Sequence, residues 1–267
     1  MIEDNGILIL TEQHSAEEER NYTGSFCGFV LLEEAEYTME QVKKNLKEQW
    51  NIIPAPQQDG FDSPMDLMIE VDGAMITVSL FLEPVPEQEA EFAAEHALWQ
   101  GAKDVACSHK AHLMVAVLPR QLNALEAAQL YCKVLVSCID DKNTTAIYTS
   151  GTILSPEELA DTVDQMRRGI FPLTALVHIG TYITESGTCG YTVGMDAFGK
   201  DELEILNCVE SEAEIHHVLQ TAAKEILEQD LKAAWYLRIS CDDTVWEGRR
   251  KDGVMVEGHS IQFQKMK

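Results

Sequence analysis

The sequence predicts an α+β protein in which helices pack on one side of a largely antiparallel sheet. Helix starts are marked by Ser, Thr or Asn residues that precede Glu or Gln by three positions, which satisfies two free backbone donors at once. Turn pairs between alternating apolar residues mark antiparallel hairpins. Strands and helices do not alternate regularly, as they would around a parallel sheet. The helix starts are Thr38 with Gln41, Asn123 with Glu126, Ser155 with Glu158, and Ser211 with Glu214.

The first half of the chain predicts a ferredoxin-like βαββαβ unit with an extra helix and strand. A strand precedes the helix that begins after Thr38, and Asp72-Gly73 then joins two strands in a type I′ hairpin. A further helix is expected from Pro86 to about Leu98, followed by a central strand at residues 112–118 that is covered on both faces. The helix at residues 122–139 is apolar nearly all round, so we expect it to be deeply buried.

The second half predicts a helix, a hairpin, a strand, a helix and terminal strands. Glu185-Ser186-Gly187 and Asp252-Gly253 each lie between strand-like runs and indicate hairpins. The helix after Ser211 carries a broad apolar stripe that indicates packing against a sheet. We divide the chain into an acidic N-terminal lobe at residues 1–150 and a C-terminal lobe at residues 151–267. The two lobes either stand apart or form one compact unit.

Residues 194–205 read Gly-Met-Asp-Ala-Phe-Gly-Lys-Asp-Glu-Leu-Glu-Ile and precede the capped helix from Ser211. This segment resembles the C-terminal signature of a bacterial family known as the domain of unknown function 4261 family. Residues 28–32 and 109–115 are also similar to longer members of that family. The resemblance implies a bacterial origin, and it transfers no activity and no catalytic or binding residue. From the residues alone, the glycines in this segment allow a bulge or close packing, with Phe198 as a core anchor.

Charge is the most uneven property of this sequence. The chain carries 45 acidic and 20 basic residues, a formal net charge of -25. Residues 1–100 hold 21 of these acids and 4 of the bases, and residues 51–101 contain no Lys or Arg. Nucleic acids and anionic membranes are poor partners for such a protein, because both require Lys and Arg to neutralise phosphates. The partner that this charge favours is a basic protein.

Cysteine usage and missing motifs narrow the class of protein. The seven cysteines are odd in number and scattered, which predicts reduced thiols and a cytoplasmic location. Residues 1–10 lack the features of a signal peptide, and no run approaches the roughly 20 apolar residues that span a bilayer. The phosphate loop, the dinucleotide fingerprint, the nucleophile elbow and the His-Glu-x-x-His motif are absent from the sequence, which disfavours nucleotide-dependent and familiar hydrolytic enzymes. No cofactor is predicted.

The predicted helix after Pro86 places Glu87, Glu91 and Glu95 at successive i, i+4 positions. Such a stripe of like charge opposes helix formation by about 0.2–0.5 kcal/mol per pair. It is either the solvated face of an acidic protein or, together with Glu89, an anionic surface for a basic partner. Metal binding is the third alternative, but nothing nearby completes the six or more oxygens that calcium takes.

Cys107, His109 and His112 form a cluster of soft ligand types at close spacing. They precede or begin the predicted central strand, and loop residues at such positions often carry chemistry. The alternatives are structural histidines beside a buried thiol, a metal site that lacks a fourth ligand, and a nucleophile pair of Cys107 and His109. The spacing matches no familiar structural zinc pattern, so the sequence favours structural histidines.

Three other groups have both a functional and a structural explanation. Glu202 and Glu204 share one face of a strand, where general acid/base pairs occur, but no partner group is identifiable. His216 and His217 lie beside the apolar stripe of the last helix, which is typical of histidines at the edge of a core. Asp242-Asp243 faces the run Arg249-Arg250-Lys251 in the sequence pattern, which indicates charge pairing around the terminal hairpin.

Together these observations predict a bacterial, cytoplasmic binding module without catalysis. Its acidic N-terminal half is expected to engage a basic protein, as an inhibitor or an immunity protein does. One alternative is an enzyme or metal-dependent hydrolase centred on Cys107, His109 and His112. The other is a small-ligand sensor with an apolar cleft. The sequence predicts no oligomeric state.

Overall fold

The computed structural model describes residues 2–4, 7–10, 24–53, 63–71, 73–95, 97, 99–231 and 236–266. Six helices and two mostly antiparallel sheets in this part of the chain confirm the α+β class. The chain forms two compact units: the outer unit is residues 1–21 with 177–267, and the inserted unit is residues 22–176. The predicted boundary after residue 150 falls inside the inserted unit, because Thr149 and Thr152 pair across a hairpin there.

The elements are numbered here in chain order. The outer unit begins with β1 (Ile2–Asp4) and β2 (Ile7–Leu10). The inserted unit contains β3 (Phe26–Leu32), α1 (Met39–Trp50), β4 (Asp66–Val71), β5 (Ala74–Phe81), α2 (Glu89–Ala94), α3 (Ala102–Ser108), β6 (Ala111–Pro119), α4 (Ala124–Ser137), β7 (Thr144–Thr149), β8 (Thr152–Leu154) and α5 (Pro156–Arg167). The outer unit then continues with β9 (His178–Thr184), β10 (Gly187–Val193), β11 (Glu202–Cys208), α6 (Glu212–Glu228), β12 (Tyr236–Cys241), β13 (Thr244–Asp252) and β14 (His259–Lys265).

The inserted unit holds a six-stranded sheet of order β4-β5-β6-β3-β7-β8. Every neighbouring pair of strands is antiparallel. The predicted βαββαβ order of elements is present from β3 to β6, with α2 and α3 in the place of the second helix. The chain then crosses from β6 through α4 to β7, and β3 lies between these two strands. Strand β3 is therefore flanked by β6 and β7, which both come much later in the sequence.

Helix α4 covers one face of this sheet, with α1 and α5 beside it. Eight of its residues are buried, which confirms the predicted deeply buried helix. The Tyr131 side chain of this helix reaches β3, because a Cβ added to Gly28 would collide with the hydroxyl of Tyr131. The smaller helices α2 and α3 pack against the opposite face, where Leu31, Ala146 and Ile153 join their alanines in a separate buried cluster.

The outer unit holds an eight-stranded sheet of order β1-β2-β12-β13-β14-β11-β10-β9. Its paired strands are antiparallel except β11 and β14, which are parallel. The hairpins predicted at Glu185-Ser186-Gly187 and after Asp252 are both present, as β9–β10 and β13–β14. Helix α6 covers one face of the sheet, and Ile215 and Leu219 pack over Gly190. The two units thus have separate sheets.

Local capping explains where most of the long helices begin. The side chains of Asn123, Ser155 and Ser211 each accept a hydrogen bond from the backbone amide three residues later. The Glu at that later position accepts a hydrogen bond from the backbone amide of the capping residue in each case. These three predicted capping boxes are confirmed. Thr38 precedes α1 as predicted, but its side chain makes no capping hydrogen bond. None of the described helices combines the length and apolar character needed to cross a membrane.

Candidate functional site

The inserted sheet has one face that the described helices cover only in part. Along β4, Met68 is exposed and Ile69 is buried, because successive side chains point to opposite faces. The row of Ile69 leads through β5 and β6 to Phe26, which stacks on Tyr131 of α4. The row of Met68 lies on the other face, where α2 and α3 pack mainly on the β7–β8 end and reach as far as Leu31 of β3. Within the described residues, the β4–β5–β6 end is open, and we call it the open sheet face.

The open sheet face is apolar at its centre and rich in methionine. Met68, Leu118 and Phe81 are 43%, 39% and 38% exposed, and Met75 and Met114 are half-buried. The expectation that the strand at residues 112–118 is covered on both faces is therefore wrong on this side. Cross-strand pairing orders the face in three rows: Met68-Thr77-Ala116-Cys27, Met75-Leu118, and Ser79-Met114-Phe29.

Acidic side chains flank these rows at both ends. Asp66 and Glu70 are exposed on β4, opposite Ser79 and Met75. Glu70 also forms an exposed ion pair with Arg120 at 3.2 Å. At the far end, the ring of Tyr148 stacks on Phe29 with the ring centroids 5.7 Å apart. The Tyr148 hydroxyl donates a hydrogen bond of 3.5 Å to Glu89. Burial and the nearby Glu89 carboxylate raise the pKa of Tyr148, so its hydroxyl stays a donor. Carboxylates thus begin two of the three rows on β4, and a third carboxylate lies beyond the Phe29 end of the Met114 row.

The predicted acidic helix after Pro86 is wrong in extent. Glu87 has φ 56° and Gln88 has φ 59°, a left-handed conformation that ends a 3₁₀ turn at Pro86–Gln88 before α2 begins. Helix α2 then runs only to Ala94, so Glu87 and Glu95 lie outside it. The acids remain close in sequence and exposed, except that one carboxylate oxygen of Glu91 is buried.

Glu95 lies near Lys103, a basic residue of α3. Its carboxylate forms an exposed ion pair with Lys103 at 3.4 Å, which is worth about 1 kcal/mol or less. The buried Oε2 of Glu91 has no hydrogen-bond partner among the described residues. Glu87 and Glu89 are both exposed, and Glu89 bonds to Tyr148, whose ring stacks on Phe29 beside the open sheet face.

Cys107, His109 and His112 do not converge as a metal or nucleophile cluster. His109 is buried, its Nε2 accepts a hydrogen bond from the Val85 amide at 2.9 Å, and its Nδ1 donates to the Ala106 carbonyl at 2.6 Å. His112 donates from Nδ1 to the Glu83 carbonyl at 2.8 Å and stacks on Phe81. Cys107 is exposed on α3, so the expectation of a buried thiol beside the histidines is wrong.

Both histidines therefore fasten the backbone that joins β5 to α2. Each ring nitrogen of His109 already has a backbone partner, so the ring is not available to take a proton from a thiol or to bind a metal ion. Desolvation lowers the pKa of His112, which keeps its ring neutral. This geometry favours structural histidines and gives no support to an enzyme centred on these three residues.

The two carboxylates of β11 also hold loops in place. Glu202 accepts hydrogen bonds from the Thr192 hydroxyl at 2.6 Å and from the amides of Gly194 and Met195 at 2.8 and 2.9 Å. Burial nevertheless raises the pKa of Glu202. Glu204 is wholly buried and binds the loop between β13 and β14. The segment that resembles a family signature therefore organises two loops of the outer unit.

The outer unit has a depression of about 450 Å³ among its described residues, which we compare with the apolar cleft expected of a small-ligand sensor. Its lining mixes charged, polar and apolar side chains, in contrast to the predominantly apolar cleft that small ligands favour. The lining residues are Arg238, Asp243, Thr244, Val245, Lys265 and Met266. This depression does not favour the sensor hypothesis.

Sequence reasoning placed the acids near the site but missed its apolar centre. The alternation along β4 puts Met68 among exposed acids, which is a signal that could have been used. Met114 gave no such signal, because it lies in an apolar run that resembles a fully covered strand.

Comparisons of this chain with protein-family models, with curated proteins and with solved structures find no match.

Proposed function

We propose that this protein is a non-catalytic binding module that takes a basic, amphipathic helix of another protein on the open sheet face. The observation that carries the proposal is the set of partly exposed methionines, Met68, Met75 and Met114, on three adjacent strands between acidic ends. An apolar helix face would cover the methionines, and its flanking Lys or Arg residues would meet the acids.

Methionine suits such a surface. Its unbranched, polarisable side chain adapts to different apolar shapes, and methionine-rich surfaces are typical of proteins that bind amphipathic helices. Three strands about 4.8 Å apart give a width of about 10 Å, which matches the diameter of a helix. Leu118 and Phe81 extend the same apolar area.

The charge of the protein favours a cationic partner. With a net charge of -25, the chain attracts a basic segment over long range and accelerates its association at low salt. Asp66, Glu70 and Glu89 flank the apolar rows, and Glu87 and Glu95 lie on the same connection as Glu89. An inhibitor or immunity-like role, a cytoplasmic location and membership of the bacterial domain of unknown function 4261 family belong to this proposal.

The apolar part is tested with a synthetic amphipathic peptide of Leu and Lys, about 18 residues or five helical turns long. Fluorescence anisotropy measures its affinity for the wild type and for the double variant Met68→Gln/Leu118→Gln. Each side chain has about 40% of its surface left to bury, so each loses about 1 kcal/mol of binding, and the dissociation constant should rise about 10-fold or more. Ile183→Gln is the matched control, because Ile183 is an exposed apolar residue of the outer unit.

The proposal fails if a scrambled peptide of the same composition binds equally well, or if Ile183→Gln weakens binding as much as the double variant.

The contribution of charge is tested by replacing Glu87, Glu89 and Glu95 with Lys and measuring the association rate of the peptide by stopped flow. The rate should fall and lose its salt dependence in part. The control replaces Glu185, Glu228 and Glu257, exposed acids of the outer unit, with Lys. Equal slowing by both triple variants means that net charge alone acts, without a binding face.

A further inference from the structure

We propose that the outer unit binds a zinc-like divalent metal ion through His217, Cys241 and Asp242. One nitrogen, one sulfur and one oxygen from these residues all lie within 4.8 Å of one another. The site lies at the turn between β12 and β13, below the first half of α6. It is separate from the open sheet face and does not depend on the function proposed above.

The separation between the nitrogen and the oxygen suits a tetrahedral ion. Zinc bonds of about 2.0–2.3 Å place neighbouring ligand atoms roughly 3.3–3.8 Å apart. The Nε2 of His217 and the Oδ2 of Asp242 are 3.6 Å apart, inside that range. The side chains of His217 and Asp242 are both exposed, so small rotations can bring them to bonding distance without disturbing the core.

Each ligand comes from a rigid element. His217 lies on α6, which packs on the sheet through Val218 and Leu219, and Cys241 is the buried last residue of β12. Asp242 follows in a left-handed conformation, φ 52°, which the tight turn to β13 imposes. The backbone positions of the three ligands are therefore set by the fold before any ion binds, and only the exposed side chains of His217 and Asp242 need to rotate.

A fourth donor lies nearby. Thr221 is four residues after His217 on the same face of α6, and its hydroxyl is 3.8 Å from the Cys241 sulfur. The hydroxyl or a water molecule can complete four-coordination. A site with three protein ligands and one exchangeable position resembles open zinc sites more than closed structural ones.

The donor set selects the kind of ion. Thiolate and imidazole favour zinc, cobalt, nickel or copper, whereas magnesium and calcium require oxygen ligands. On binding, the Cys241 thiol releases its proton to solvent and the thiolate bonds to the metal. One thiolate and one carboxylate then neutralise the double charge of the ion, which suits a site beside the buried Cys241.

The ion-pair explanation accounts for only part of this arrangement. An exposed pair of His217 and Asp242 explains their 3.6 Å contact, and a hydrogen bond to the Thr221 hydroxyl holds the Cys241 thiol, but neither interaction involves all three side chains. A metal ion gives all three side chains a common role.

The test is a titration of reduced, metal-free protein with Co²⁺, which reports thiolate ligation by a charge-transfer band in the near ultraviolet. We expect one equivalent of Co²⁺ to develop the band and Zn²⁺ to abolish it. His217→Gln, Cys241→Ser and Asp242→Asn should each weaken binding at least about 10-fold. The chain supplies matched neighbours as controls, His216→Gln and Asp243→Asn, together with Cys208→Ser elsewhere in the unit; all three should bind as the wild type does.

The proposal is overturned if no thiolate band appears, or if the band survives Cys241→Ser. It is also overturned if the His216 and Asp243 variants lose the ion as readily as their neighbours. Should Cys241→Ser fail to fold, Asp242→Asn decides, because asparagine tolerates the left-handed conformation at this turn and the side chain is exposed.

Discussion

The buried carboxylate of Glu204 gives the sharpest prediction about stability. Glu204 has no exposed surface, and its Oε1 accepts hydrogen bonds from the amides of Val254 at 3.0 Å and Met255 at 2.5 Å. Its Oε2 accepts from the Ser260 hydroxyl at 2.5 Å and from the Gln262 amide at 3.2 Å. Four donors from one hairpin thus converge on a single side chain of β11.

Glu204→Leu keeps the approximate volume and removes every acceptor. The donors of Val254 and Met255 belong to exposed residues and can bond to water instead. Those of Ser260 and Gln262 are buried, and each buried donor without a partner costs about 1–3 kcal/mol, so the free energy of unfolding should fall by about 4 kcal/mol. Glu204→Gln should cost only about 1–2 kcal/mol, because its amide oxygen still accepts and the hydroxyl of Ser260 can turn to accept from its NH₂.

Urea unfolding gives the global change, and hydrogen exchange of the Val254 and Met255 amides, followed by mass spectrometry, gives the local one. Both amides should exchange faster in Glu204→Leu than in the wild type. Glu257→Leu, on the exposed part of the same loop, is the control and should stay within about 0.5 kcal/mol. A loss below about 1 kcal/mol for Glu204→Leu, with unchanged amide exchange, would refute the role of this carboxylate as the anchor of the loop.

Three further predictions concern the pH response, the packing of the central strand and the capping of α6. Because burial lowers the pKa of His112, the unfolded chain binds a proton that the folded chain excludes, so the free energy of unfolding should fall as pH drops below about 6.5. His112→Gln should make the free energy of unfolding, measured by urea titration, depend less on pH. An unchanged pH dependence in this variant would contradict the prediction. Gly28→Ala should destabilise the protein by about 1–3 kcal/mol, because the added Cβ meets the Tyr131 hydroxyl. Adding Tyr131→Phe should recover part of this loss, as measured by thermal unfolding. If nothing is recovered, the Tyr148 carbonyl oxygen, 2.8 Å from the added Cβ, sets the cost instead. Ser211→Ala should cost about 1 kcal/mol by loss of its cap, whereas Thr38→Ala, which removes no capping bond, should cost less than about 0.5 kcal/mol; equal losses would contradict the capping argument.

The sequence predicts the local parts of the fold well. Capping residues and turn residues act within a few positions of one another, so Asn123, Ser155 and Ser211 mark helix starts correctly, and Glu185-Ser186-Gly187 marks a hairpin. The extent of the helix after Pro86 was not predictable in this way. The left-handed backbone at Glu87 and Gln88 follows Val85, whose amide bonds to His109 in a tertiary contact that local patterns do not reveal.

Long-range pairing lies beyond such local rules. Periodicity shows that β3, β6 and β7 are strands, but nothing within them states that β3 lies between the other two. For the same reason the open sheet face, built from three strands, could be located only in part from sequence. His217 and Asp242 were each noted as parts of separate groups, and only the packing of α6 on β12 brings them together.

The discontinuous outer unit has a consequence for the order in which a new chain can fold. Strand β2 pairs with β12, so Ile7–Leu10 must wait for residues 236–241 to be synthesised. The whole inserted unit leaves the ribosome in between and can complete its sheet once β8 has emerged. Domains generally fold as units during synthesis, so the inserted unit should be native while the apolar Ile7–Leu10 segment still lacks its neighbour on β12. That interval is when a chaperone would be most useful to this protein.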